Sequence, residues 1–130
     1  MQLKGIDHVV IRTLDLEAMI AFYCNVLGCT LERRQEEIGL IQLRAGSALI
    51  DLVPVDGKLG RMGGRPPGPE GRNMDHLCLA VRDFDIDAVR AELQGHGVAL
   101  GAEGLRYGAS GEAVSLYLND PDGNAVELRG

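Results

Sequence analysis

Two histidines and two carboxylates occupy matching places in the two halves of this sequence. The segment GIDHVVIRT near the start is matched by NMDHLCLAV in the second half, which sets His8 and His76 in register. Each half later holds one acid inside a short apolar stretch, Asp51 in ALIDL and Glu127 in NAVEL. Neutral imidazole and carboxylate side chains together suit a divalent first-row metal ion. If both halves curve around a common cavity, these four side chains converge on one metal site with room for water or a chelating substrate.

The repeat makes the half-chain the folding unit, and both halves share one order of patterns. A short alternating segment comes first, then an amphipathic helical segment, then three further strand-like segments. The two halves, residues 1–54 and 73–130, are joined by residues 55–72, in which six of eighteen residues are Gly and three are Pro. This composition predicts a linker without a helix or an inner strand. The sequence therefore predicts a single α+β domain of two βαβββ modules in tandem.

Local signals give approximate bounds for these elements. We expect Asp15 to cap the first helix, Asp83 or Asp85 to cap the second, and a glycine to follow each helix. The DPDG segment has the residue preferences of a type I turn and leads into the last strand. In the first module the predicted strands are 7–13, 30–36, 40–44 and 47–53. In the second module, strands 98–105 and 114–119 are predicted between the opening strand and the last strand.

Alternation along the strands assigns each candidate ligand to a face. All four candidate ligands fall on the face turned away from the helices, where a metal and its substrate would bind. The same alternation places Asp7 and Asp75 on the opposite face. Neither aspartate is therefore expected to contact the histidine that follows it.

The composition excludes several classes of function. Thirteen Lys and Arg against nineteen Asp and Glu give a net charge of −6, and no basic run is present, which argues against a nucleic-acid partner. The longest uncharged stretch, residues 18–31, is too short and too polar to span a bilayer. The N-terminus does not resemble a secretory signal, and three cysteines without CxxC spacing fit reduced thiols. We therefore expect a cytoplasmic protein with no membrane contact.

The opening DHVVIRTLDLEAMIAFYCNVLG, the closing LYLNDPDGNAVEL and the paired βαβββ order resemble the vicinal oxygen chelate superfamily. This superfamily is also called the glyoxalase, bleomycin resistance and dioxygenase family, and the pattern is most similar to small bacterial glyoxalase I-like proteins. The resemblance implies sheets that curve around a metal-containing cavity, with ligands from the first and last strands of each module. It carries over onto His8, Asp51, His76 and Glu127, and implies a divalent ion such as Ni, Co, Fe, Mn or Zn. It also implies a homodimer that binds a small-molecule substrate such as a thiol adduct.

With four ligands, the resemblance implies a lactoylglutathione lyase-type isomerisation of an α-oxo-aldehyde hemithioacetal, with Glu127 as the base and Asp51 as ligand or assistant. Glyoxalase I enzymes carry Glu where this chain has Asp51, which is one methylene shorter. A set of His8, His76 and Glu127 alone is therefore the alternative, and it resembles non-haem iron dioxygenases and fosfomycin resistance enzymes. A metal-free drug-binding protein of the bleomycin type is a further alternative. The chain has no Trp and only five Phe and Tyr for stacking against such a drug.

Four further residues are candidates for substrate binding. Gln42 and Tyr117 alternate onto the cavity face. Arg12 lies four residues beyond the first histidine, where similar glyoxalases place an arginine for a glutathione carboxylate. Arg106 lies in the Gly-rich segment 102–112, which we expect to cover the cavity mouth, and its charge suits an anionic substrate. In contrast, the amide side chain that contacts glutathione in the family is replaced by valine here.

Overall fold

The computed structural model describes all 130 residues, Met1–Gly130. The chain divides into two compact units, Met1–Asn73 (unit 1) and Met74–Gly130 (unit 2). Each unit holds a four-stranded sheet, with one α-helix between its first and second strands. This order, βαβββ in both units, confirms the predicted α+β fold class. No helix of the chain has both the length and the apolar character needed to cross a bilayer.

Unit 1 builds its sheet from strands that bury one face against its helix. The elements are β1 (His8–Thr13), α1 (Leu16–Ala21), a π-helical turn (Phe22–Val26), β2 (Thr30–Gln35), β3 (Leu40–Ala45), β4 (Ala48–Pro54) and a 3-10 turn (Gly60–Gly63). The sheet order is β1-β4-β3-β2, with β1 parallel to β4 and the other pairs antiparallel. The fully buried apolar side chains are Ile11, Met19, Tyr23, Ile41, Leu43, Ile50 and Leu52.

Unit 2 repeats this arrangement. Its elements are β5 (His76–Ala80), α2 (Ile86–Gly95), β6 (Leu100–Gly108), β7 (Gly111–Asn119) and β8 (Ala125–Arg129). The sheet order is β5-β8-β7-β6, again with the first and last strands of the unit parallel. Segment 102–112, expected to cover the cavity mouth, forms the paired ends of β6 and β7 around a tight turn. The buried apolar side chains are Leu93, Leu116, Leu118, Val126 and Leu128.

An aspartate caps each helix at its N-terminus. The side chain of Asp15 accepts a hydrogen bond from the backbone N–H of Ala18 at 3.1 Å, and Asp85 accepts one from Ala88 at 2.8 Å. Asp83 precedes the second cap and has a φ of 51°. Of the two predicted caps for α2, the structure therefore uses Asp85. Each cap satisfies one of the backbone donors that have no partner in the first helical turn.

The turn between β7 and β8 determines where Glu127 lies. One oxygen of the Asp120 side chain accepts the backbone N–H groups of Asp122 at 3.0 Å and Asn124 at 2.8 Å. Gly123 has a φ of 82°, a conformation that favours glycine, and donates its N–H to the Asp120 carbonyl at 2.9 Å. The turn predicted from DPDG is therefore present. It fixes the first residue of β8 and hence the face on which Glu127 projects.

The linker is ordered around the side chain of Arg12. Nη1 of Arg12 donates to the carbonyls of Gly63 at 3.0 Å and Arg65 at 2.8 Å, and Nη2 donates to those of Gly60 at 3.1 Å and Gly64 at 2.8 Å. A Cβ on Gly63 would lie 2.5 Å from Nε of Arg12, so only glycine fits this close approach. The prediction of a linker without helical structure is wrong for the 3-10 turn, because Arg12 satisfies carbonyls that the turn leaves without partners.

Candidate metal centre

In unit 2 the predicted ligands His76 and Glu127 face each other. They lie on the same side of two parallel neighbours, β5 and β8, where Cys78 is the register partner of Glu127. The Nε2 atom of His76 is 3.1 Å from Oε2 of Glu127. The Glu127 side chain is only 6% exposed, whereas that of His76 is 37% exposed. The pair is therefore buried at the carboxylate and open at the imidazole.

Two hydroxyl groups from β7 hold the Glu127 carboxylate. Tyr117 is its cross-strand partner and donates to Oε2 at 2.7 Å, and the fully buried Ser115 donates to Oε1. Burial, the largest single influence, acts to raise the pKa of Glu127, but the two hydroxyl hydrogen bonds together with the charges of His76 and Arg129 outweigh it. The net effect is a lowered pKa. Glu127 is therefore held as a carboxylate at neutral pH.

Each predicted histidine is hydrogen-bonded to the aspartate that precedes it. Nδ1 of His8 lies 2.7 Å from Oδ1 of Asp7, and Nδ1 of His76 lies 2.6 Å from Oδ2 of Asp75. The prediction that these aspartates point away is wrong, because each histidine is the first residue of its strand and strict alternation does not extend before it. A carboxylate accepts from a ring N–H, so Nδ1 carries a hydrogen, and Nε2 is the ring nitrogen that remains for a metal ion. Metal-binding histidines typically have such a carboxylate partner.

Unit 1 has the matching residues in a looser arrangement. Asp51 is buried and is the cross-strand partner of Gln42, whose Nε2 donates to its two carboxylate oxygens at 3.3 and 3.2 Å. The ring of His8 is within ion-pair distance of Asp7 but not of Asp51. The hydrogen bond with Asp7 raises the pKa of His8, burial opposes this, and the negative charge of Asp51 adds to the increase. Asp51 therefore acts on His8 through its charge rather than through a direct ion pair.

One distance in unit 2 matches the spacing of two ligands on a metal ion. The contact between Nε2 of His76 and Oε2 of Glu127 is compatible with two arrangements: a hydrogen bond donated by Nε2, or two ligand atoms that share one metal ion. Two atoms bound to one metal at about 2.0–2.2 Å and at a right angle are about 3 Å apart. The observed 3.1 Å matches that separation. Neither unit by itself gathers three or more His, Cys, Asp or Glu side chains into a metal-binding cluster, so the four-residue set stays a prediction.

The four predicted substrate-binding residues have different surroundings. Gln42 and Tyr117 contact the two candidate carboxylates, as described above. The guanidinium carbon of Arg106 lies 5.8 Å from the centre of the Tyr117 ring, and that ring meets His76 edge-on at 5.7 Å. Arg106 is thus close to the unit 2 pair. Arg12, in contrast, directs both terminal nitrogens to linker carbonyls.

Sequence reasoning missed two residues beside Glu127. Ser115 donates to its carboxylate, and Arg129 is 5% exposed on the same face, with Nη2 donating to the Gly111 carbonyl at 2.6 Å and Nε without a partner. Ser115 lies two residues before Tyr117, and Arg129 two residues after Glu127. The period-2 rule that selected Tyr117 and Glu127 also selects these neighbours, so the signal was present in the sequence.

Two βαβββ units, each with a histidine at the start of its first strand and a carboxylate in its last, define the class of this protein. The family model described as "Glyoxalase/Bleomycin resistance protein/Dioxygenase superfamily" matches residues 5–128. The chain belongs to this superfamily, which confirms the resemblance found in its motifs.

Individual relatives match over almost the whole chain. The uncharacterized protein YaeR of Escherichia coli is 34% identical, over 97% of this chain and 95% of its own length. The crystal structure of virulence protein STM3117 from Salmonella typhimurium superimposes with a TM-score of 0.83 and 28% identity, covering 99% of this chain and 98% of that one. An ethylmalonyl-CoA/methylmalonyl-CoA epimerase of Cereibacter sphaeroides is 32% identical, over 95% of both chains.

Other relatives are named for different reactions. A probable lactoylglutathione lyase of Synechocystis is 26% identical over 93% of this chain and 91% of its own. A catechol-2,3-dioxygenase of Bacillus subtilis is 25% identical over 95% of this chain, but over only 40% of its own length. Relatives of this chain therefore include a lyase, an epimerase and a dioxygenase.

Proposed function

We propose that this protein is a metal-dependent enzyme that removes and returns a proton at a carbon next to a carbonyl group. The lead reaction is the glyoxalase-type isomerisation of an α-oxo-aldehyde hemithioacetal or a related small oxygen-chelating substrate. The observation that carries the proposal is the His76–Glu127 pair, with its 3.1 Å separation and its buried carboxylate. The relatives named as lactoylglutathione lyase and as epimerase support it, since both reactions need a proton to leave and return beside a carbonyl.

In this proposal His8, Asp51, His76 and Glu127 bind one divalent ion, such as Ni, Co, Fe, Mn or Zn. When bound, the ion supplies Lewis acidity that stabilises negative charge on a substrate oxygen. The hydrogen bond from each histidine to its preceding aspartate supports the assignment, because it leaves Nε2 available as a ligand atom in both units.

Glu127 is the proposed base. Its lowered pKa keeps it deprotonated, and Oε2 lies on the side of the exposed imidazole, where a substrate can approach. The hydrogen bond to Glu127 raises the pKa of Tyr117, so the phenol stays protonated and remains a donor beside the base. Asp51, which accepts hydrogen bonds only from an amide, is the proposed assisting carboxylate. Arg106 is the proposed contact for an anionic part of the substrate.

The test uses protein stripped of metal and reloaded separately with Ni, Co, Mn, Zn and Fe(II). Each form is incubated in D2O with hemithioacetals made from an α-oxo-aldehyde and either glutathione or a smaller thiol, and with methylmalonyl-CoA. We expect metal-dependent deuterium incorporation next to the carbonyl, followed by NMR, with at least one substrate. Glu127→Gln is the matched control and should incorporate deuterium about 10³-fold more slowly. Absence of exchange with every metal and substrate would contradict the proposal.

Two further measurements separate the alternatives. Oxygen consumption by the Fe(II) form with a catechol would favour the dioxygenase alternative. If protein purified without chelator contains no metal, the alternative of a metal-free binding protein is favoured. The assembly of the chain as a homodimer is also a proposal. Light scattering at micromolar concentration measures the mass in solution, and a mass corresponding to one chain would contradict the homodimer.

A further inference from the structure

The two oxygens of Glu127 have different partners. Oε2 accepts from Tyr117 and faces Nε2 of His76 at 3.1 Å. Oε1 accepts from Ser115, whose side chain is fully buried, with 0% exposure. One oxygen is thus turned to the open imidazole, and the other is enclosed by β7.

Ser115 lies at a fully buried position, where a hydroxyl group lowers stability unless it makes a hydrogen bond. Its chain neighbour Leu116 is also fully buried, and a buried hydroxyl without a partner destabilises a protein by about 1–3 kcal/mol. The partner that meets this requirement is Glu127. Rotating the Glu127 carboxylate would therefore break the Ser115 bond and leave a buried hydroxyl unsatisfied.

Unit 1 has no hydroxyl at the equivalent place. Gln42 stands opposite Asp51 as Tyr117 stands opposite Glu127. Two residues before Gln42 is Leu40, an apolar side chain. Asp51 accordingly accepts the same amide group on both oxygens, at 3.3 and 3.2 Å, so neither oxygen is singled out.

We infer that Ser115 is a positioning residue that holds Oε1 of Glu127 and so leaves Oε2 as the one oxygen turned to the metal and to the substrate. The inference rests on the metal-binding part of the proposed function. Without Ser115, the carboxylate can rotate and present both oxygens. The serine therefore determines how Glu127 coordinates, while Glu127 itself provides the bond.

The experiment uses Co2+ as the probe, with the intact chain. Isothermal titration gives the Co2+ affinity of the wild type and of Ser115→Ala, and visible absorption of the Co2+ form reports its coordination. We expect Ser115→Ala to bind Co2+ about 10–100-fold more weakly and to show a changed band shape and intensity.

Matched variants separate positioning from a loss of stability. Ser115→Thr and Ser115→Val have the same shape, and only the threonine keeps the hydroxyl, so the threonine should resemble the wild type and the valine should resemble Ser115→Ala. Thr13→Val removes another buried hydroxyl, in unit 1, where it accepts from the backbone of Asp15, and should leave Co2+ binding unchanged.

Wild-type affinity and spectrum in both Ser115→Ala and Ser115→Val would overturn the inference, as would a wild type that binds no Co2+. Failure of the proposed reaction is a distinct result. A wild type that binds Co2+ but gives no proton exchange would refute the proposed activity, while the Ser115 comparison would still stand on binding and spectrum.

Discussion

The two units share a fold but hold their carboxylates differently. In unit 1, Asp51 accepts hydrogen bonds from one amide group at 3.2–3.3 Å. The ring of His8, the matching histidine, lies beyond ion-pair distance of Asp51. In unit 2, Glu127 accepts two hydroxyl groups and lies 3.1 Å from a histidine nitrogen. A duplicated framework has therefore produced one loosely held carboxylate and one tightly held carboxylate. The difference indicates separate roles for the two acids, which the following predictions test.

The largest expected effect is on proton transfer. Glu127→Gln should lower kcat/KM by about 10³-fold, because an amide cannot accept the proton, whereas Asp51→Asn should lower it by about 10-fold. Both variants are measured in the deuterium-exchange assay at matched metal content. Equal losses, or a greater loss for Asp51→Asn, would reverse the assignment of the two roles.

The next expected effect concerns a feature that unit 1 has and unit 2 lacks. Arg12→Met should lower the free energy of unfolding by about 2 kcal/mol, because four linker carbonyls lose their donor. Urea unfolding measures this, and faster trypsin cleavage after Arg61 would report a loosened linker. Arg34→Met, which removes two weak ion pairs with the exposed Glu17 and Glu36, should change stability by less than about 0.5 kcal/mol. Unchanged stability with a raised KM for an anionic substrate would instead support the predicted substrate role of Arg12.

A smaller effect is expected where the two units agree. Asp7→Asn and Asp75→Asn should each weaken Co2+ binding about 10-fold, because both aspartates orient a histidine through Nδ1 at nearly the same distance. Titration calorimetry measures the affinities, and Asp87→Asn, an exposed partner of Arg90, is the control. An effect of Asp75→Asn alone would remove His8 from the ligand set.

The smallest effect tests the shared architecture. Asp15→Ala and Asp85→Ala should each lower the free energy of unfolding by about 1 kcal/mol, because each removes an N-cap. Glu37→Ala, on an exposed turn, should change it by less than about 0.5 kcal/mol. Denaturant titration gives the values. A large difference between the two cap variants would show that the helices contribute unequally in spite of their matching place in the repeat.

The sequence predicted the element order and the faces of the strands because both depend on local periodicity. Period-2 alternation placed Glu127 and Tyr117, like Asp51 and Gln42, on the cavity face, and in the structure the members of each pair are in contact. Alternation failed for Asp75, because it lies just before its strand begins and its side chain turns back to the histidine ring. The rule holds only within a strand, and strand ends are the least predictable positions.

The contacts of Arg12 could not be predicted in the same way. Its four acceptors are backbone carbonyls about fifty residues away, in a segment whose Gly and Pro content indicates only that regular structure is absent. No local sequence pattern predicts that the guanidinium of Arg12 donates hydrogen bonds to the carbonyls of such a segment. The chemistry of Arg12 suits a carboxylate equally well, and the sequence alone could not choose between these partners.

The turn around Asp120 has a consequence for how this chain tolerates change. Its hydrogen bonds tie Asn124 to a fixed point three residues before Glu127. A shift of one residue at this point would move Val126 or Leu128 onto the face of the histidine and push the acid into the apolar interior. Insertions and deletions in this short loop should therefore be far more harmful than substitutions, because a shift by one residue along the last strand would turn Glu127, the proposed base, away from His76.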